Sequence, residues 1–345
     1  MCIMTTLKNK NIMNLLITGG AGFIGSNFVK LCLEKQHNII VLDILTYAGH
    51  MANLPENIEF IHGNICDENL VYELLQKHNI DILINFAAES HVDNSIHDAD
   101  NFINTNILGV YSILNASLKY YKNNPNYKHI QVSTDEVYGS LEFDSPPFTE
   151  ESPMLPNSPY SASKAAGDML TRAWYHTYGL PIVITNCTNN YGAYQYPEKL
   201  IPHMIICALE GKPLPIYGDG KNIRDWIHVS DHCNGVYLAA TKGKIGETYC
   251  FGGKEEHHNI DIVKKICSYI DDLKPRADGK SYSEQITFVK DRLGHDRRYA
   301  IDDTKAEKEL GFTREYNFND GLYQTVEWYL NNQDWVKNVY FKGTE

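Results

Sequence analysis

The sequence predicts an α/β fold built on a doubly wound parallel sheet, with a smaller C-terminal lobe. Three observations carry this expectation. Short apolar, β-branched runs alternate with stretches of helical spacing through the first half. A glycine-rich turn joins the first such run to the first helical stretch. From about residue 190 the alternation breaks into shorter pieces, punctuated by Pro197, Pro202, Pro213, Pro215 and several glycines. Strands that alternate with helices give a parallel sheet covered on both faces.

The elements follow in order. "NLLITGG" reads as a strand and "SNFVKLCLEK" as a helix. "NIIVLD" is a second strand, "ENLVYELLQKH" a helix and "DILINFAA" a strand. "NTNILGVYSILNASLKYY" has the length of a long helix, and "HIQVSTDE" follows as a strand. "SASKAAGDMLTRAWYHTY" is a helix and "PIVITN" a strand. Far downstream, "TKAEKELGF" predicts a short amphipathic helix ending at Gly311. No internal repeat or low-complexity tract interrupts this pattern.

Composition narrows the function classes. The chain has 345 residues, 43% of them hydrophobic, and a formal charge of −12 without a basic cluster. Such a surface does not favour nucleic acid or an anionic membrane. No apolar run reaches the roughly 18 residues that would span a bilayer. The start, "MCIMTTLKNKNIM", lacks the apolar core of a signal peptide, so a cytoplasmic location is expected. The eight cysteines are scattered, with no Cys-x-x-Cys pair, as in a protein with reduced thiols. His257 and His258 are adjacent but have no companion ligand pattern, and no metal site is expected.

In "ITGGAGFIGSNF", Gly19, Gly22 and Gly25 lie directly between the first strand and the first helix. This G-x-x-G-x-x-G spacing is a variant of the dinucleotide fingerprint. Glycines permit the tight turn and let a pyrophosphate approach the helix N-terminus. Asp43 ends the second strand, where a carboxylate can accept hydrogen bonds from an adenosine ribose. A 2′-phosphate would meet that carboxylate, and no arginine follows in "DILTYAG", so NAD is favoured over NADP. The fold expected is therefore Rossmann-type. Residues 13–188, with a contribution from about 225–254, would form the NAD-binding domain, and residues 189–345 mainly a sugar-nucleotide lobe.

"NSPYSASKAAGD" holds Tyr160 and Lys164 one helical turn apart, with Ser158 as a plausible N-cap and Pro159 in the first helical position. A lysine ammonium and a nicotinamide cation nearby would favour the phenolate of Tyr160. That phenolate could take a proton from a substrate hydroxyl as hydride leaves the same carbon. The trio Thr134, Asp135 and Glu136 poses a different problem. Adjacent carboxylates repel, and burial raises the cost, so the trio is either solvated on a turn or chemically employed.

Taken with "LTYAG", "NFAAESHVD", "VSTDEVYGS", "NCTNNYGAYQYPEKLIP", "PIYGDGKNIRDW" and "DRLGHDRRYAID", these motifs resemble the extended short-chain dehydrogenase/reductase family, and within it the nucleotide-sugar 4,6-dehydratases. The likeness runs from about Asn14 to Val339. It implies a lyase that converts dTDP-glucose to dTDP-4-keto-6-deoxyglucose and water, a step of deoxysugar biosynthesis of the kind that leads to rhamnose or to an aminosugar. UDP-glucose is the alternative substrate, and a 4-epimerase the more distant one. In the implied mechanism Tyr160 removes the 4-hydroxyl proton while NAD stores the C4 hydride. Glu136 then takes the C5 proton, protonated Asp135 protonates the leaving 6-hydroxyl, and the hydride returns to C6. Thr134 would hydrogen-bond the sugar near O4. A 4-epimerase needs no acid and base for losing water, so the trio argues against that reading.

The resemblance also implies contacts. For the cofactor it adds Phe23, Ile24, Thr46, Asn64, Ile65, Phe86, Ala87, Ala88, Ser90, Thr105 and Asn190 to the glycines, Asp43, Tyr160 and Lys164. For the sugar nucleotide it implies Ser90, Thr134, Asn189, Lys199, Leu200, Pro215, Ile216, Tyr217, Arg224, Asn259, Asp291, Arg292 and His295. Arg224 is the strongest physical candidate for a phosphate fork, against an ion pair with neighbouring Asp225. Asn94, Asn64 and Leu293 depart from the family's usual arginine, acidic residue and proline, which bears on the nucleotide base more than on the reaction. Members of the family are typically homodimers, and the same is expected here.

Overall fold

The computed structural model describes residues 12–291 and 294–341. The chain opens with β1 (Asn14–Thr18), α1 (Phe23–Glu34), β2 (Asn38–Asp43), β3 (Glu59–His62), α2 (Glu68–Lys77) and β4 (Ile82–Asn85). Next come α3 (Val92–His97), α4 (Asp100–Ile103), α5 (Val110–Tyr121), β5 (Lys128–Thr134), α6 (Pro159–Tyr178) and β6 (Ile182–Cys187). The later part holds β7 (Asn189–Tyr191), α7 (Leu200–Leu209), β8 (Leu214–Tyr217), β9 (Ile223–His228), α8 (Val229–Lys242) and β10 (Thr248–Phe251). It continues through β11 (Glu256–His258), α9 (Asn259–Leu273), β12 (Ile286–Val289), α10 (Thr304–Leu310) and α11 (Phe318–Asn331).

Seven strands form the main sheet in the order β10-β6-β5-β4-β1-β2-β3, with every pairing parallel. This is the Rossmann-type α/β arrangement. The strand order reverses direction between β1 and β4, and in such sheets a crevice opens there beyond the carboxyl ends of the strands. Buried Leu15, Ile17, Val41, Ile84, Ile130 and Val183 pack with Phe28 and Val29 of α1 and with Val236 and Ala239 of α8. On the other face, Leu16, Leu42 and Leu83 pack with Leu74 of α2 and with Ile113 and Leu114 of α5. The later elements form a three-stranded sheet, β11-β9-β7, and a two-stranded one, β12-β8. Ile205 of α7, Ile262 and Ile266 of α9, and Leu322 and Val326 of α11 build their own core.

Several expectations shift in detail. The edge strand β3 was not anticipated, because its four residues, Glu-Phe-Ile-His, give a weak apolar signal and none of them is buried. The long helix expected over 104–121 is α5 preceded by a π-helical stretch, Asn104–Gly109, and by α4. Periodicity alone does not separate a single π turn from an α turn. Asn94 lies within α3. α6 begins at Pro159 with Ser158 as its cap, and Ser158 and Ser161 exchange side-chain-to-backbone bonds in a capping box. α10 ends at Gly311 as the sequence indicates, although Ala306 and Leu310 are buried.

Candidate active site

A cavity of about 1260 Å³ is lined by residues that follow β1, β2, β3, β4, β5 and β6. The expected cofactor residues gather there: Gly19, Gly22, Phe23, Ile24, Gly25, Asp43, Thr46, Asn64, Ile65, Phe86, Ala87, Ala88, Ser90, Thr105 and Asn190. The glycines are required sterically. Gly19 has φ +67°, and a Cβ there would lie 2.5 Å from the Ala87 nitrogen. A Cβ on Gly25 would lie 2.2 Å from the Gly19 carbonyl oxygen. Gly22 caps α1 without any side-chain bond, so the first helical N–H groups keep no capping partner and suit an anion.

Asp43 is already engaged by the protein. Its Oδ2 accepts from the Ala21 N–H at 2.9 Å and its Oδ1 from the Leu45 N–H at 2.8 Å. It therefore braces the glycine turn. A carboxylate has roughly four acceptor sites, which leaves capacity for a ribose. Burial pushes its carboxyl up, and the Leu45 and Ala21 bonds pull it back. Asn64 likewise bonds locally, its Oδ1 accepting from the Cys66 N–H at 2.9 Å.

The catalytic candidates meet at the end of β5. Thr134 closes the strand and caps the 3-10 turn Asp135–Tyr138, its hydroxyl accepting from the Glu136 N–H at 3.3 Å. Asp135 is 2% exposed, whereas Glu136 is half-buried. Burial first, then the charges of Glu136 and Asp225, push the Asp135 carboxyl well above its ordinary range, with Arg224 and a Thr134 hydrogen bond opposing. Asp135 Oδ2 has no hydrogen-bond partner among the described residues. Tyr160 is buried, and burial together with the Glu136 charge holds its phenol protonated, against a hydrogen bond with Thr134.

Lys164 differs from expectation. Its Nζ donates to the Val132 carbonyl at 2.8 Å, and burial pushes its ammonium down. Its charge is not among the main influences on the Tyr160 phenol. The helix does put both side chains at one cavity, as the i, i+4 spacing indicates.

The expected substrate residues form two groups. Ser90, Thr134, Asn189 and Lys199 line the cavity. Lys199 donates to the Ser90 carbonyl at 2.8 Å, and Leu200 follows as the first residue of α7. Outside that lining, Pro215, Ile216 and Tyr217 lie on β8, and Asn259 opens α9. Asp291 approaches Gly218 and bonds His295 at 2.6 Å, while the Tyr217 and His295 rings lie 6.2 Å apart. Arg224 donates to the carbonyls of Ile223 (2.7 Å) and Asp296 (2.9 Å), and its guanidinium lies 4.4 Å from the centre of the Tyr299 ring. The Asp225 carboxylate, by contrast, accepts from the N–H groups of Gly253 and Glu255. The groups converge electrostatically: Asp135 feels Arg224, and Tyr299 feels Glu136. Arg292 and Leu293 lie outside the described residues.

Sequence reasoning missed Tyr47, Glu89, Gln195, Tyr196 and Glu198 as cavity residues. Tyr47 donates to Glu198 at 3.1 Å, and His91 lies 3.8 Å from the same carboxylate. The signal was present, because Glu89 and Glu198 sit inside the motif stretches "NFAAESHVD" and "QYPEKL". His232, fully buried, bonds the Asn190 side chain at 2.9 Å from 42 residues away, which spacing does not reveal.

A parallel dinucleotide-type sheet, with a Tyr-x-x-x-Lys helix and an acid–base trio at one cleft, defines an extended short-chain dehydrogenase/reductase. The GDP-mannose 4,6 dehydratase family model matches residues 16–325, and the chain belongs to that family. It is 52% identical over 334 residues to a dTDP-glucose 4,6-dehydratase of Xanthomonas campestris pv. campestris (strain B100), covering 94% of this chain and 95% of the relative. A dTDP-glucose 4,6-dehydratase of Salmonella typhimurium is 49% identical over 348 residues, covering 95% of both. Among solved structures, DesIV of Streptomyces venezuelae, a dTDP-glucose 4,6-dehydratase with NAD and TYD bound, superposes with TM-score 0.86 at 44% identity, covering 95% of this chain and 100% of that one. The UDP-glucose 4-epimerase of Thermotoga maritima gives TM-score 0.83 at 28% identity, with 93% and 100% covered.

Proposed function

We propose that this protein is a lyase that converts dTDP-glucose to dTDP-4-keto-6-deoxyglucose and water, using NAD without net consumption. The observation that carries the reading is the pair at the end of β5. Asp135 is buried, with its carboxyl pushed well above the ordinary range, and Glu136 beside it is half-buried. One neighbour is thus set to give a proton and the other is placed to accept one. NAD, held by Gly19, Gly22, Gly25 and Asp43, would supply the hydride acceptor and donor. Tyr160 takes the 4-hydroxyl proton, with Thr134 bonded to the phenol. Glu136 removes the C5 proton, Asp135 protonates the departing 6-hydroxyl, and Glu136 gives its proton back to C5 as the hydride enters C6. Asn189, whose Oδ1 has no partner among the described residues, and Lys199 face the sugar. Arg224, Tyr217, Asn259, Asp291 and His295, with Leu200, Pro215 and Ile216, form the nucleotide-diphosphate side. Residues 13–188, with about 225–254, make the NAD-binding unit, and 189–345 mainly the sugar-nucleotide lobe.

The test is turnover of each nucleotide sugar by the purified protein, read by product mass and by the alkaline absorbance of the ketone. The stretches "PIYGDGKNIRDW" and "DRLGHDRRYAID" and the names of the relatives support the thymidine nucleotide, so kcat/KM should be higher for dTDP-glucose than for UDP-glucose. A higher value for UDP-glucose would overturn the nucleotide assignment and make Asn94→Arg the next variant. Retention of oxygen at C6 with inversion at C4 would instead indicate an epimerase.

We also propose a homodimer in the cytoplasm. Tyr111 of α5 packs on Trp174 of α6 at 5.8 Å, and Leu108, Tyr111 and Met169, on these neighbouring helical stretches, are exposed apolar residues. Such residues fit an isologous contact with a second copy. Sedimentation velocity should give a dimer that Met169→Asp weakens, and a monomeric parent would overturn this assembly. The seven free cysteines among the described residues fit a reducing compartment.

A further inference from the structure

We propose that Asp168 is a positioning residue for the oxidation step: its buried carboxylate is the counter-charge that keeps Lys164 an ammonium and ties α6 to the strands carrying the acid–base trio. The inference rests on the reading that Tyr160 and Lys164 serve oxidation at C4. Tyr160, Lys164 and Asp168 are spaced i, i+4 and i+8 along α6, so they form one stripe of that helix. Asp168 is fully buried. Its Oδ2 accepts from the Ser133 hydroxyl of β5 at 2.7 Å and from the Asn186 amide of β6 at 3.3 Å. The same Asn186 amide donates to the Thr134 carbonyl at 3.0 Å. One carboxylate therefore joins the helix that carries the tyrosine and lysine to the strand end that carries Thr134, Asp135 and Glu136.

Charge accounting points the same way. Lys164 is buried, and its hydrogen bond among the described residues goes to a neutral carbonyl, that of Val132. A buried ammonium needs a negative partner to keep its proton. The groups that support its charge are Asp168 and then Cys187 of β6. The Cys187 thiol is itself pushed up to about 12, so it carries no charge near neutrality. Asp168 is left as the anion. Tyr138, on the turn after β5, also feels that carboxylate, and its phenol is held protonated by burial. Asp168 is pushed up to about 6 by burial, against Lys164, Ser133 and Asn186, so its charge is present above that pH and lost below it.

The test is the pH profile of kcat with dTDP-glucose for the parent, Asp168→Asn and Ser133→Ala. The alkaline limb of the parent reports Lys164 losing its proton. Asp168→Asn removes the counter-charge, so this limb should move to lower pH by about one unit, a loss on the order of tenfold at pH values above it. KM should change little. Ser133→Ala keeps the carboxylate, which is ionised well above pH 6, so its alkaline limb should stay where the parent's lies. An unmoved alkaline limb in Asp168→Asn, an equal shift in Ser133→Ala, or a uniform loss at every pH would overturn the inference. If Asp168→Asn does not fold, Asp168→Ser, also uncharged, takes its place and is read by the same outcomes. A parent inactive on dTDP-glucose would refute the function itself, which keeps the two failures apart.

Discussion

Asp135 and Glu136 are neighbours in sequence with opposite settings. Asp135 turns into the protein, where burial and the charges of Glu136 and Asp225 push its carboxyl well above the ordinary range. Glu136 remains half-buried at the cavity. The expected consequence is a division of labour that kinetics can separate. Asp135→Asn and Glu136→Gln should each slow water loss by roughly 10²–10⁴-fold, the usual scale for a general acid or base. Oxidation at C4 should survive in both, visible as transient absorbance of the reduced cofactor. Full turnover by Glu136→Gln would remove it as the base. Asp43 adds a second residue-level test, because it bonds two backbone N–H groups as well as facing the cleft. Asp43→Ala should weaken NAD binding and relax rejection of NADP. The parent binding both cofactors equally would refute the ribose contact.

At the scale of elements, α6 deserves its own test because it carries Tyr160, Lys164 and Asp168. Ser158 and Ser161 close its first turn, and their hydroxyls lie 2.9 Å apart. Ser158→Ala should cost about 1 kcal/mol of unfolding free energy, measured by denaturant titration, while the active-site residues stay in place. An unchanged midpoint would mean that the cap contributes nothing. This cap was legible in the sequence, since Ser-Pro before an apolar-patterned run is a local signal that needs no tertiary information. So were the glycine turn and the strand that ends at Thr134. The partners of Lys164 and Arg224 were not. Lys164 bonds a carbonyl 32 residues away and Arg224 one 72 residues away. Sequence reasoning set Lys164 beside the Tyr160 phenol and read Arg224 as a phosphate fork, with Asp225 as the alternative, and it did not anticipate the main-chain oxygens that each side chain bonds. The strand β3 was missed for a related reason, because an edge strand with no buried residue leaves little apolar pattern to read.

For the molecule as a whole, buried histidine sets part of the acid sensitivity. His129 on β5 is fully buried, and burial holds its imidazole near 4, against support from Gln131. The unfolded chain takes up that proton near the ordinary value of 6.5, while the native protein does not. Stability contributed by this group is therefore present above about pH 6.5 and falls as pH drops toward 4, by on the order of 3 kcal/mol over the window. Buried Asp168 and Asp225, both raised to about 6, act in the opposite direction, so the comparison must be made between variants. His129→Leu should lose less stability than the parent between pH 7 and pH 4.5 in urea titrations. An equal loss would assign the acid sensitivity elsewhere. The sheet topology acts at the same scale. β10, the strand beside β6, comes from residues 248–251, after β7, α7, β8, β9 and α8 have been laid down. A nascent chain leaving the ribosome thus has to hold an unfinished sheet, its β6 edge bare, until Phe251 has been synthesised. Cutting or fusing the gene anywhere between Cys187 and Thr248 would leave that edge open to strangers, which makes this stretch a poor place for a split-protein junction.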